Sequence, residues 1–423
     1  MTNVLVVGNG SREHALCEAL RRSAGLTSLR CAPGNAGTAL LAQNVSVSLD
    51  DVEQLLRVAR DAPTDLVIIG PEVPLAAGLA DRLREFGILT VGPDAAAAQI
   101  EASKAWAKDL MRAVGVPTAR AVVARSHAEA HRAVEQVGLP AVIKADGLAA
   151  GKGVTVAMTP AEADAALDEL FVRRALGAAA DVVVIEEFLE GRELSVLALC
   201  DGERLAVMPP ARDYKAAYDG GVGPNTGGMG AFTRPSFATP GLLARVRVEI
   251  LEPVVRELAR RGSPFVGVLY AGLMLTDAGP KVIEFNCRFG DPEAQVILPL
   301  LESDFLETML AVAGGRLDPA AVHWSDDILC GVVLASGGYP GAYTTGEPIT
   351  GLDTVPADAL VFHAGTRQRE DGTVVTAGGR VLTVVGRGAT LEDARARAYA
   401  AAATITFPGA RIRSDVGVED VPK

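Results

Sequence analysis

Short apolar runs, each closed by glycine or proline, alternate with stretches of helical period through the N-terminal part of the chain. Residues 4–7, 26–31, 66–69 and 88–91 have the pattern of buried strands, and the first is followed by a helix through Arg22. Strands alternating with helices predict a parallel sheet. Asp94 then caps a helix to Ile100, and Ser103 caps a second one to Val114, stopped by Gly115-Val116-Pro117. Further on, strand 141–144 enters a glycine-rich loop, and 154–156 returns. A helix over 161–176 and strands 182–185 and 193–199 follow. A helix over 240–261 precedes two apolar runs, 265–275 and 281–286, separated by Gly279-Pro280, which predicts an antiparallel hairpin. Beyond a helix at 304–313 the pattern changes near Ser325. Short strands at 329–335, 361–365 and 380–385 and a helix from Leu391 form a small separate α+β unit, in which His363 and Gly378-Gly379-Arg380 read as structural.

A chain of 423 residues exceeds one ordinary core, so about two to four domains are expected. With 49% apolar residues it is globular, and a formal charge of −12 excludes sequence-independent nucleic-acid binding. Anionic ligands must therefore be held by local positive groups. Five scattered cysteines without a CxxC fit reduced thiols in the cytoplasm. No export signal and no apolar stretch of spanning length is found, so no membrane association is expected.

The hairpin carries the chemistry. Alternation places Val282, Glu284 and Asn286 on one strand face and Ile283 and Phe285 on the other. A carboxylate and an amide oxygen side by side suit Mg²⁺ (or Mn²⁺), which takes substrate phosphates as further ligands. The same alternation suits an edge strand wetting its polar face, but Arg288 follows, with a fork fitted to carboxylate or phosphate. At the N terminus Gly8-Asn9-Gly10-Ser11-Arg12 resembles a dinucleotide-binding turn, which leaves an NAD(P)-dependent oxidoreductase open. Against it, Glu13 replaces the third glycine, and strand 26–31 ends without a carboxylate for a ribose diol. Such a turn can still hold a lone phosphate on its amides, helped by Arg12. Loops at the ends of the next strands, the first with Glu72, fall where open α/β sheets bind ligands.

Lys144 and the loop 146–153, with Gly147, Gly151, Lys152 and Gly153, form a flexible hairpin able to fold over phosphates as a lid. It is not a P-loop, because a strand and not a helix follows. Near Glu186 and Leu189 a strand breaks into a linker whose backbone can pair with an adenine edge, and Glu193 can accept from ribose hydroxyls. Lys104, a cation in the first turn of a helix, would be explained by a nearby phosphate or by simple solvation. The long glycine-rich stretch 220–230 suggests backbone packed close to a ligand.

Side by side, these stretches resemble the phosphoribosylamine–glycine ligase (glycinamide ribonucleotide synthetase) family of the ATP-grasp superfamily. The resemblance covers the whole chain, through Gly8-Asn9-Gly10…Arg12-Glu13-His14, Ala32–Gly37, Gly70-Pro71-Glu72, Lys144–Gly153, Glu186–Leu189, Gly223–Gly230 and Glu284–Glu293. It implies an N-terminal Rossmann-like domain (1–102), a central ATP-grasp (103–324) with a mobile lid at about 118–190, and a small C-terminal α+β domain (325–423). The implied reaction joins glycine to 5-phosphoribosylamine with ATP as co-substrate, in purine biosynthesis, by a cytoplasmic enzyme expected to be a monomer. It further implies Glu284 and Asn286 as metal ligands; Lys104, Lys144, Gly147, Gly151, Lys152, Gly153, Glu186, Leu189 and Glu193 around ATP; and Gly8, Asn9, Gly10, Arg12, Glu72 and Arg288 around the other substrates. Arg288, Lys144 and Asp213 would assist the chemistry. A non-catalytic nucleotide-binding protein on the same scaffold is the remaining alternative. The chain departs from the family at Arg212, at Ala216 and at Ser11, and residues 266–275 offer no second metal carboxylate.

Overall fold

Val4, Leu5, Val6 and Val7 are all buried, as a near-continuous apolar run requires when both faces of its strand are covered. The structure, a computed structural model, describes residues 1–149 and 153–419. β1 (Thr2–Gly8), β2 (Leu26–Pro33), β3 (Gln43–Asn44), β4 (Leu66–Ile69) and β5 (Leu89–Val91) form a parallel sheet in the order β3-β2-β1-β4-β5. The two short helices Ala95–Ala102 and Lys104–Val114 are capped by Asp94 and Ser103, as the sequence predicts, and lead into the next unit.

That unit is the expected lid. β6 (Ala121–Ala124), β7 (Ala141–Ala145), β8 (Val154–Ala157) and β9 (Val183–Glu187) form an antiparallel sheet ordered β6-β9-β7-β8, with its own core around Ile143, Leu167 and Ile185. The helix expected over 161–176 is shorter. Pro160–Leu167 is α-helical and widens into a π turn, Asp168–Val172, after which Arg174 takes a positive φ and ends the run.

The remaining strands are β10 (Arg192–Asp201), β11 (Leu205–Val207), β12 (Ala211–Asp213), β13 (Ala216–Tyr218), β14 (Val222–Asn225), β15 (Gly230–Thr233), β16 (Val266–Thr276), β17 (Gly279–Asn286), β18 (Ile328–Ala335), β19 (Ala359–His363), β20 (Thr366–Gln368), β21 (Val374–Thr376) and β22 (Arg380–Gly388). One sheet runs β17-β16-β10-β12-β15-β18-β22-β19. The central and C-terminal strands therefore share it, joined where Ala231 pairs with Gly331. Helix Leu391–Ala402 covers β22 so closely that a Cβ on Gly386 would lie 2.2 Å from the Ala394 carbonyl oxygen.

The predicted hairpin forms between β16 and β17, but its register shifts: Gly272 pairs with Glu284 and Leu273 with Val282, which leaves Ile283 as an extra residue. The simple alternation is corrected accordingly. Val282 and Phe285 both enter the core, while Glu284 and Asn286, beyond the bulge, face a cleft together.

Candidate active site

The cleft lies between the lid, the N-terminal sheet and the large sheet, and encloses about 720 Å³. The lid and the β16–β17 hairpin, 139 residues apart in the chain, meet directly: Lys144 Nζ donates to the carbonyl oxygen of Ile283, the bulged residue, at 3.1 Å. Lys144 also pairs with Glu186 Oε2 at 3.0 Å, and Lys108 reaches the same oxygen at 3.1 Å. Glu186 Oε1 is buried and has no hydrogen-bond partner among the described residues. Burial lowers Lys108 to about 8 against the pull of Glu186, and burial likewise lowers Lys104. Sequence reasoning passed over Lys108, although it lies one helical turn after Lys104 on the same face.

Lys104 lines the cleft, but the anion at its helix terminus is the protein's own. Asp146 accepts from Ser103 Oγ (2.8 Å) and from Ala105 N (2.6 Å) and so answers the helix dipole. Lys104 Nζ donates to the Gly147 carbonyl oxygen at 3.3 Å, and Gly147 itself packs against Ala179. Gly153, Leu189 and Glu193 line the cleft, whereas Gly151 and Lys152 lie outside the described residues.

On the face of Glu284 and Asn286, Lys215, whose role the sequence left open, pairs with Glu284 at 3.1 Å and lies 3.9 Å from Glu193. Lys215 holds the Glu284 carboxyl down at about 2 against burial, with Lys144 and Lys104 adding to the effect. Asp213, on β12, is pushed up to about 7 by burial despite Lys215. Among the described residues no three His, Cys, Asp or Glu side chains are arranged to hold a metal ion. One carboxylate and one amide oxygen nevertheless fit Mg²⁺, which keeps several waters and takes phosphate oxygens for the rest.

The N-terminal turn differs from expectation. The Glu13 carboxylate folds back into it, accepting from Gly10 N at 2.5 Å and pairing with Arg12 at 2.6 Å. A Cβ on Gly8 would lie 2.5 Å from this side chain and one on Gly70 2.0 Å, so these glycines make room for Glu13. Gly8, Asn9 and Gly10 do not line the cleft; Arg12 and Glu72 do. A protein carboxylate thus holds the Gly10 amide, one of those expected to meet a phosphate. Of the glycine-rich stretch 220–230, Gly221, Gly223, Asn225, Thr226 and Gly227 line the cleft, whereas Gly228 packs on the protein itself. Gly228, at φ +106, would place a Cβ 2.4 Å from Pro292, so its close neighbour is protein.

Arg288 is held on several sides. Nε pairs with Glu72 (3.2 Å), Nη2 with Glu101 (2.9 Å), and Nη2 also donates to Asn286 Oδ1 (3.3 Å). Burial would raise the Glu72 carboxyl, but Arg288 and then Arg12 hold it at about 2. Glu101 is pushed up by burial and pulled back by Arg288. Arg380, read from sequence as structural, lines the cleft; it donates to Asp291 O at 2.9 Å and pairs with the Asp291 carboxylate at 3.2 Å. Neither Glu101 nor Arg380 carries a local sequence signal, because each acts across a long chain separation.

Family profiles for the N, ATP-grasp (A) and C domains of phosphoribosylglycinamide synthetase match residues 2–101, 102–294 and 329–419. The chain is 50% identical over 419 residues to the phosphoribosylamine–glycine ligase of Nostoc sp., covering 98% of each chain. It is 48% identical over 421 residues to that of Streptomyces coelicolor, covering 98% of this chain and 99% of the other. The crystal structure of phosphoribosylamine–glycine ligase from Thermotoga maritima superposes with a TM-score of 0.85 at 35% identity, covering 98% of this chain and 99% of that one. The chain belongs to the phosphoribosylglycinamide synthetase family.

Proposed function

We propose that this chain is an ATP-dependent ligase that joins glycine to 5-phosphoribosylamine, giving the ribosylated glycinamide, ADP and phosphate. One observation carries the reading: a lid lysine and the strand of Glu284 and Asn286 meet at a single cleft, with Lys144 bound to the Ile283 carbonyl beside Glu284. The nicotinamide reading finds no support, since the relatives are ligases and Glu13 fills the turn a dinucleotide would need.

A carboxylate is a poor acyl electrophile because its oxide does not leave. In the first step a glycine carboxylate oxygen attacks the γ-phosphorus of ATP, the bond to ADP breaks, and glycyl phosphate forms. In the second the ribosylamine nitrogen attacks the acyl carbon, phosphate leaves, and the nitrogen gives up a proton. Glu284 and Asn286 would hold Mg²⁺ or Mn²⁺, which supplies charge neutralisation at the outer phosphates. Lys104, Lys144 and Lys215 would bring cationic charge to the same phosphates, and the lid would keep water from the acyl phosphate. The unpartnered oxygen of Glu186 suits an exocyclic amine of adenine, and Leu189, which also lines the cleft, would offer its backbone to the same base. Arg288 would meet the glycine carboxylate or the transferring phosphoryl group. The phosphate of the ribosylamine falls to Arg12 and Arg380, which both bond carbonyl oxygens of the turn 289–291, and Glu72 to its sugar hydroxyls.

The decisive assay is glycine-dependent release of ADP from MgATP with freshly generated ribosylamine. ADP release that requires both glycine and the ribosylamine is expected. Nucleotide binding without such release would point to a non-catalytic nucleotide-binding protein.

A further inference from the structure

Glu101 stands near the end of helix Ala95–Ala102, outside the motifs that mark the site. Its side chain is 7% exposed and reaches the turn after β17, 186 residues further along the chain. Oε2 accepts from Cys287 N at 2.8 Å and from Cys287 Sγ at 3.1 Å, while Oε1 takes Arg288 Nη2 at 2.9 Å. From the opposite side Glu72 holds Arg288 Nε at 3.2 Å. The guanidinium is thus gripped at two of its three nitrogens. The third, Nη1, has only a 3.3 Å contact to the Phe289 carbonyl oxygen.

The two grips differ. Both border the cleft, but the Glu72 side chain is 25% exposed against 7% for Glu101, so a ligand engages Glu72 more readily. Glu101 is spent on Arg288 and on the first backbone N–H beyond the strand. One carboxylate would suffice to balance the arginine's charge; a second, largely buried one costs desolvation and contributes direction. We propose that Glu101 is a positioning residue, which ties Arg288 Nη2 to the Cys287 backbone and thereby aims the remaining guanidinium edge at the carboxylate of glycine. The inference rests on reading Arg288 as the group that meets that carboxylate. Without Glu101 the guanidinium keeps its charge and its bond to Glu72 but pivots about it, and a planar fork works only when aligned.

The test is a double-mutant cycle on the full-length enzyme, with KM for glycine and KM for MgATP measured separately. Glu101→Gln should raise the glycine KM ~10-fold or more, the scale of a misaligned charge-assisted hydrogen bond, and leave the MgATP KM within ~2-fold. Arg288→Lys should raise the glycine KM at least as much, and adding Glu101→Gln to it should change little further. A merely structural role predicts otherwise, because a partly unfolded preparation loses kcat and not one substrate's KM. If Glu101→Gln does not fold, Glu101→Asp, which keeps the charge but withdraws it by one methylene, is read in the same way. An unchanged glycine KM in a folded Glu101 variant, or the same penalty repeated in the Arg288→Lys background, overturns the inference alone. An unchanged glycine KM in Arg288→Lys overturns the reading of Arg288 and the inference with it.

Discussion

The two ends of the cleft solve the problem of holding anions in an acidic protein differently. At the lid end the cations are lysines: Lys108 and Lys144 share one oxygen of Glu186, and Lys104 stands beside them within the field of Asp146 and Glu284. At the other end they are arginines, and charges alternate from Glu13 through Arg12, Glu72 and Arg288 to Glu101. Lysine is a compact point charge whose proton affinity yields to burial; arginine is a permanently charged, rigid fork. On the proposed function, the lysine end supplies point charges for a polyphosphate. The arginine end is balanced in advance and spends its carboxylates on geometry.

That contrast can be broken from either side. The largest effect is expected between the two ends, where Glu284→Gln should lower turnover by roughly 10²–10³-fold without unfolding the protein, the scale for losing one electrostatic stabiliser. Unchanged turnover with normal Mg²⁺ dependence would remove Glu284 from the metal site. At the lysine end, Lys144→Ala should weaken binding of a non-hydrolysable MgATP analogue by roughly 10–100-fold, the scale of hydrogen bonds to charged groups. Calorimetric titration reads this directly, and an unaltered affinity would mean that Lys144 serves Glu186 and Ile283 only. The smallest effect is a pH dependence. Burial lowers Lys108 to about 8, and a polyphosphate favours its protonated form, so affinity for MgATP should fall as pH rises through about 8. Lys108→Met should bind more weakly at neutral pH and lose that inflection; an identical profile in both proteins would assign the loss to another group.

Much of this was legible in the sequence, because local patterns announce local structure. Apolar runs between turns marked the parallel strands, cap residues marked the helices, and Glu284 and Asn286, two apart, were bound to share a face. Three things were not legible, and the reasons are physical. The bulge at Ile283 breaks the alternation that places Val282, and register depends on what each partner strand buries. A glycine turn looks the same whether it receives a ligand phosphate or the protein's own Glu13, and only the approach of Gly70 from another strand decides. Glu101 and Arg380 reach the cleft across separations of 186 and 89 residues, over which neither spacing nor periodicity carries a signal. Lys108 could have been found, since it repeats Lys104 at a helical interval.

The continuous sheet also bears on how the three parts are inherited. A chain ending before Ile328 would strip β18 from β15 and leave that edge of β15, along Gly230, Ala231 and Phe232, open to water. Such an edge invites pairing with another molecule. The C-terminal segment is therefore a seal as much as a domain, which neither a truncation nor a recombination event can discard cheaply.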